Sequence, residues 1–427
     1  MWRPDVDAYA GRLHPARRAV QLLTLALLVA IPVSGLFRID PVDGAFVVAG
    51  RQIWFSDAFI VLGFWIFVAS LLVIFYSLAG AAFCGWMCPQ NTLSEWANQI
   101  TRSMLGRNAR IMDMTGDDVQ IALRRSGWQN KVALFLLLLA VSMVVALVPL
   151  LYFYPPSAIW SFLTFREDPR LAGSLHWIYT VCVVVVFLDV AVIRHLMCRY
   201  MCIYRIWQHS FKTRDTLRVR YDAARADDCA RCHYCVDHCF VDIDPRNTEV
   251  FDSCVNCGAC IAACDELHRR SRKLQGGSLL HFVIGGEKHR GIHDTLSSIA
   301  TRSRAALAFT IAGGAIFFFG LTHYEPMHLA VYRSEAWQGR DLIGYRIEVA
   351  NKLYAPMDVR LEVRGLKEGD YTLSARRLHF DGPGRKDVAL TMNKARLSRG
   401  LHRFRVVADN GQGWHRGFTA VHYAAGG

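Results

Sequence analysis

Five apolar stretches constrain this chain more than anything else in it. They run over about 19–37, 58–80, 131–154, 174–194 and 305–322, and each is close to the roughly 20 helical residues that cross a hydrocarbon core. Lipid offers backbone N–H and C=O groups no partners, so such segments are predicted as helices that satisfy themselves. The first resembles a signal peptide in position only. Its apolar run is long and "IPVSGLF" is a poor cleavage site, so it is expected to stay as a helix.

The chain is 53% hydrophobic and carries a net charge of +13. Its Arg and Lys flank the apolar runs instead of forming one stripe, which argues against a nucleic-acid partner and for membrane lipid. Arg3, Arg12, Arg17 and Arg18 precede the first run. Arg102, Arg107, Arg110, Arg124 and Arg125 follow the second, and "HRRSRK" and "GEKHR" follow the fourth. The other short loops hold only Arg38 and Arg51, and Arg166 and Arg170. The positive-inside rule then puts the N-terminus in the cytoplasm and the portion from about residue 323 outside a bacterial inner membrane.

All 13 cysteines lie between Cys84 and Cys264. On this topology Cys182 is within the fourth span and the other twelve are at the inner edge or in the cytoplasm, where thiols stay reduced and a disulfide framework is disfavoured. Cys229, Cys232, Cys235 and Cys239 follow C-x2-C-x2-C-x3-C, and Cys254, Cys257, Cys260 and Cys264 repeat it. This is the two-cluster ferredoxin spacing, in which the fourth cysteine of each run ligates the other cluster. One [4Fe-4S] cluster is assigned to Cys229, Cys232, Cys235 and Cys264, the other to Cys254, Cys257, Cys260 and Cys239. Structural zinc prefers paired C-x2-C knuckles. Phe240 and Asp265 stand where Pro usually follows the fourth cysteine. His233 and His238 are read as neighbours of the first cluster and not as ligands.

Cys84 and Cys88 in "AAFCGWMCPQN", and Cys198 and Cys202 in "MCRYMCIYRIWQ", are two C-x3-C pairs just past the second and fourth spans. The spacing puts both thiols of a pair on one helical face. Four thiolates at one depth suit a soft metal such as Cu(I), a further cluster, or a dithiol that cycles through disulfide; membrane-edge packing is the plain alternative. No phosphate-binding loop, hydrolase constellation or covalent haem site is legible. "CARCH" matches a haem motif formally, but its thiols belong to the ferredoxin run.

Residues 340–424 alternate apolar and polar, punctuated by "KEGD", "DGPG" and "DNGQG", and predict a β-sandwich. In "HYEPMHL", His323, Met327 and His328 are candidate outer copper ligands, with a polar exit from the membrane as the plainer reading. Asp189, within the fourth span, is a functional candidate or a partner of Arg194. Cys182 is read as packing, His176 and Trp177 as interface anchors.

"LAGAAFCGWMCPQNTLSEW", "RHLMCRYMCIYRIWQ", "KTRDTLRVRYD" and the ferredoxin runs resemble the CcoG/FixG/RdxA proteins, iron–sulfur accessory proteins of cytochrome oxidase assembly, over roughly residues 15–325. The resemblance implies a polytopic α-helical membrane protein of five spans with a cytoplasmic two-cluster ferredoxin-like domain and an outer immunoglobulin-like β-sandwich. The expected divisions are 1–222, 223–304, 305–322 and 323–427. The implied role is reduction of Cu(II) to Cu(I) for a cbb3-type oxidase or its copper-delivery chaperones, with a cytoplasmic donor or quinol supplying electrons. Ile203 replaces the usual Pro after the second C-x3-C pair, and the linker from "RYD" to Cys229 is short. Polyferredoxins that serve nitrate or nitrous-oxide respiration share these motifs and give a competing conduit function, and a scaffold with structural or sensing clusters is a third. The outer domain, and the lack of a flavin-binding domain in the few residues before the first span, favour the oxidase-accessory group.

Overall fold

The computed structural model describes all residues except 1–5, 42–43, 106–126, 195–196, 199–201, 214, 230–231, 240, 242, 249–252, 272–275, 286–296, 298–299, 302, 335–336, 339–340, 343, 394 and 425–427. Arg3, most of the basic loop after the second span, "GEKHR" and Phe240 therefore lie outside the described residues. The chain forms two compact units, Met1–Val33 with Leu62–Phe317, and Ser34–Val61 with Phe318–Gly427.

In the first unit, α1 (Val6–Val33) leads into the long apolar helices α2 (Ala58–Ala79), α5 (Trp128–Leu151) and α7 (Leu175–Leu188), with α11 (Arg304–Thr322) the last of them. Between them lie the short α3 (Ala82–Trp86), α4 (Pro89–Leu105) and α6 (Pro156–Leu163), then α8 (Ile203–Phe211), α9 (Tyr234–Asp237) and α10 (Ala259–Arg270). Among the described residues, five helices are long and apolar enough to cross a membrane. Their apolar side chains are exposed: Phe59, Leu62, Val144 and Ile311 are all more than half accessible. Faces of that kind suit hydrocarbon and not water. α2 and α11 approach at glycines. A Cβ on Gly63 would fall 2.5 Å from the Phe317 nitrogen, and one on Gly313 2.7 Å from the Phe67 nitrogen, so small residues set the crossing. Thr310 donates to Ser70 Oγ (2.9 Å) between the two.

The first helix corrects the expected bounds. It starts well before residue 19 and ends at Val33, and Phe37–Asp40 is already a strand. The basic stretch read as a leading loop is helical because Arg17 is buried, donating to the Gly85 carbonyl (2.6 Å) and pairing with Glu95 of α4. The fourth span ends in a π-helical turn, Asp189–Ile193, before Arg194.

The second unit begins with an antiparallel meander, β1 (Phe37–Asp40), β2 (Ala45–Val48) and β3 (Arg51–Trp54). In the first unit β4 (Arg218–Tyr221) pairs with β5 (Leu280–Val283). The second unit continues through β6 (Met327–Arg333), the short pair β7 (Trp337–Gln338) and β8 (Asp341–Leu342), β9 (Gly344–Asn351), β10 (Met357–Arg364), β11 (Tyr371–Leu373), β12 (Arg377–Phe380), β13 (Gly384–Met392), β14 (Gly400–Asp409) and β15 (His415–Ala424). Two four-stranded antiparallel sheets result, ordered β12-β10-β14-β15 and β11-β13-β9-β6. Alternate residues, among them Ile347, Val349, Val359, Leu361, Phe404 and Val406, meet in one buried cluster drawn from both sheets, as the period-2 pattern requires.

The strand β6 was not legible as one. Met327, its first residue, is 1% exposed in that cluster, while His328 turns the other way onto the Trp54 ring (5.7 Å) and His323 lies on Phe319 (4.1 Å). Met327 and the two histidines therefore do not converge. The meander packs on the same unit: Gln52 N–H donates to the Lys352 carbonyl (2.8 Å), and buried Lys352 pairs with Asp57 (2.8 Å) above the Trp54 ring (4.7 Å). Removing one member of a buried pair strands a charge, at about 3–5 kcal/mol. Asp57→Ala is expected to lower the denaturation midpoint of the full chain by that scale. Asp57→Ala with Lys352→Met is expected to lose less than the two single changes summed; strict additivity in equilibrium unfolding would refute the pairing.

Candidate iron–sulfur site

Three positive-φ residues bend the cysteine runs back on themselves. His233 (φ 57) begins α9, and Asn256 (φ 55) and Gly258 (φ 76) turn the chain into α10. Asn256 is pinned by donating to the carbonyls of Leu217 (2.8 Å) and Ala79 (3.2 Å). α10 then carries Cys260 and Cys264 one turn apart.

The two quartets expected from the spacing are brought together. Cys229, Cys232, Cys235 and Cys264 line one open cavity. Cys254, Cys257, Cys260 and Cys239 form the second group, each close enough to feel the charge of others in the set. Tyr221 lines the same cavity as Cys229, a reach the short linker after "RYD" permits, because Asp222 caps a 3-10 turn, Ala223–Asp228, that ends at Cys229. The Leu279 N–H donates to Cys264 Sγ (3.4 Å).

The membrane-edge pairs form a third group. Cys198 feels the charge of Cys88, Cys84 and Cys202, and Cys84 that of Cys88 and Cys202. Burial pushes Cys84 up to about 11 and Cys198 up to about 12, and raises Cys88. Burial likewise raises Cys254 to about 12 and Cys235 to about 11. Buried sulfurs that crowd one another become thiolates readily only against a bound cation, so the donor sets suit iron–sulfur clusters. Among the described residues no three His, Cys, Asp or Glu side chains are arranged to hold a single metal ion.

The second quartet and the membrane-edge segment touch. Cys84, Cys239 and Cys257 pack on one buried cluster with Ala81, Val241 and Val255. A Cβ on Gly85 would fall 2.4 Å from the Val255 oxygen, and Trp86 Nε1–H donates to the Asn256 carbonyl (3.0 Å). On the other side Arg205 donates to the Cys198 carbonyl (3.4 Å) and to Ser253 Oγ.

Sequence reading missed Gln208. It is 1% exposed and its Nε2–H donates to Cys84 Sγ (3.2 Å); only its place two turns after Cys202 hinted at it. Of the residues singled out, His233 borders the first cavity and His238 is exposed, its Nδ1 on the Tyr234 carbonyl (2.8 Å). Asp265 is buried and paired with Arg269 (2.9 Å). The Arg194 side chain, the partner considered for Asp189, donates instead to Asn98, Thr101 and the Val190 carbonyl. His176 stacks on Phe165, Trp177 is exposed and Cys182 half-buried.

Residues 61–108 match the Fer4_5 family, a 4Fe-4S binding domain. Protein RdxA of Cereibacter sphaeroides is 28% identical over 59% of this chain and 54% of its own length. Nitrogen fixation protein FixG of Rhizobium meliloti is 26% identical over 50% of this chain and 43% of its own. Ferredoxin-type protein NapH of Haemophilus influenzae is 24% identical over 60% of this chain and 88% of its own. The chain thus spans about half the length of the first two relatives. The matched domain and these relatives support the FixG/RdxA-type iron–sulfur family, the one that the sequence motifs resemble.

Proposed function

We propose that this chain is a membrane electron-transfer protein that delivers single electrons to a soft metal at the membrane edge, reducing Cu(II) to Cu(I) for a cbb3-type cytochrome oxidase. The observation that carries the reading is the packing of Cys84, Cys239 and Cys257 against one buried cluster, Ala81, Val241 and Val255, with Gly85 laid on the Val255–Cys257 backbone. Two [4Fe-4S] groups, held by Cys229, Cys232, Cys235 and Cys264 and by Cys254, Cys257, Cys260 and Cys239, would supply one-electron storage when bound. The protein's part is to bury the second set, to leave Cys232 exposed on the first, and to seat the membrane-edge thiols against the second. Cys84, Cys88, Cys198 and Cys202 are the soft donors that suit copper as substrate; one electron converts Cu(II) to Cu(I) with no proton or leaving group to move. The distribution of Arg and Lys favours a cytoplasmic cysteine segment and a periplasmic, immunoglobulin-like β-unit that docks a partner.

A second reading has its own support. The 4Fe-4S match at 61–108 contains no cysteines but Cys84 and Cys88. The membrane-edge thiols would then hold a further cluster, in a conduit from quinol to a respiratory reductase.

Purified protein, reduced with dithionite and mixed anaerobically with Cu(II), is expected to regain its cluster absorbance as the clusters are oxidised and to form Cu(I) at a matched rate. About eight irons per chain accompany the first reading and about twelve the second. Replacing Cys84 and Cys88 by Ser is expected to keep about eight irons and slow Cu(I) formation at least about tenfold, about 1.4 kcal/mol of barrier. An unchanged rate sinks the role given to that pair.

Gly85→Ala overpacks the contact with the Val255 oxygen, at about 1–3 kcal/mol. Lower iron content is expected than in Gly127→Ala, where an added Cβ meets nothing within 4 Å. Equal iron in the two variants would separate the Gly85 contact from cluster retention.

A further inference from the structure

The cavity that gathers Cys229, Cys232, Cys235 and Cys264 has a lining residue with an unmet demand. His268 is 4% exposed, borders that cavity, and its Nδ1 has no hydrogen-bond partner. It sits four residues after Cys264 on α10, so helix geometry puts both on one face. Leaving a buried polar atom unsatisfied costs about 1–3 kcal/mol, and the walls beside it, Leu267, Leu279 and Leu280, are apolar. Around the same cavity Arg246 is held by Asp244 (2.6 Å). His233 lies within 3.5 Å of Arg246.

We propose that His268 is a positioning residue that donates its Nδ1–H to a sulfur of the iron–sulfur group held by this quartet, and so raises that group's reduction potential above its neighbour's. The inference rests on the cluster assignment above. Hydrogen bonds to sulfur stabilise the more negative, reduced state, and they are one of the main determinants of cluster potential. The consequence is directional. The solvent-facing quartet, with Cys232 exposed, becomes the place where an arriving electron is held.

The test is an EPR-monitored redox titration of the full-length protein in detergent, with iron analysis of each variant. His268→Leu keeps bulk and removes the donor. At a fixed potential its reduced-to-oxidised ratio for one signal is expected to fall about tenfold, about 59 mV for one electron, with iron content and the second signal unchanged. His268→Asn carries an amide nitrogen near the Nδ1 position and is expected to restore most of the shift. His268→Gln carries it near Nε2 and is expected to resemble Leu. Full iron with wild-type potentials in the Leu variant overturns the proposal. If Leu loses iron, the Asn and Gln variants decide, and equal potentials in those two overturn it. Cys232→Ser identifies the signal: it should abolish the one that His268 shifts. A spectrum left whole by Cys232→Ser would instead bring down the cluster assignment, and the proposal with it.

Discussion

The absence of one side chain organises the first unit. At Gly85 the Val255 carbonyl occupies the space a Cβ would need, so the loop between Cys84 and Cys88 lies flat on the loop between Cys254 and Cys257. Neighbouring interactions depend on that closeness. Trp86 reaches the Asn256 carbonyl, Asn91 and Arg17 reach the Gly85 carbonyl, and Glu95 anchors Arg17. A first helix, two short helices after the second span and the second ferredoxin loop are thereby tied at one point. In a buried setting each donor must find its acceptor or cost about 1–3 kcal/mol, so the network has little freedom to drift.

That tie explains how thiols so poorly suited to ionise are arranged for electron-transfer chemistry. Burial dominates the upward shift at Cys84, Cys198, Cys235 and Cys254. Desolvation penalises each thiolate, and crowding adds like-charge repulsion. The same burial lowers the local dielectric and strengthens every N–H that points at sulfur, such as Gln208 on Cys84 and Leu279 on Cys264. The sites are therefore costly when empty of cations and stiff once charged, which suits carriers that change by one electron without moving atoms.

Much of this was legible because local rules dominated. Five apolar lengths predicted five spans. A repeated cysteine spacing predicted two interleaved quartets, and the same quartets are drawn together in space. The failures share a cause: tertiary contacts overrode local pattern. The first helix was expected from about residue 19, yet it takes in the basic residues before it, where Arg17 is buried and paired with Glu95, more than seventy positions away. Met327 and His328 were candidate soft ligands beside the plainer reading of a polar exit, and strand pairing with β9 sends them to opposite faces. Residues 37–54 looked like a short loop between spans, and only Lys352 and Asp57 reveal why a meander forms there. Gln208 and His268 carry no motif of their own. What marks them is a burial that a sequence does not state.

The position of the family match sharpens what the molecule is built around. Residues 61–108 run from the second span through α3 and α4, and they hold Gly85, Glu95 and the first thiol pair but none of the eight ferredoxin cysteines. The part of the chain that matches a 4Fe-4S domain is thus the platform on which the second quartet rests. A platform needs features that a free-standing ferredoxin does without: a glycine for close approach, a tryptophan N–H for the turn, and an ion pair to hold the helix below. All three are present and converge on Val255–Cys257. The membrane-edge thiols and the second quartet are accordingly better understood as one packed element than as a ferredoxin tethered to a membrane anchor. A side chain added at Gly85, where the two backbones meet, should disturb both sets of sulfurs together.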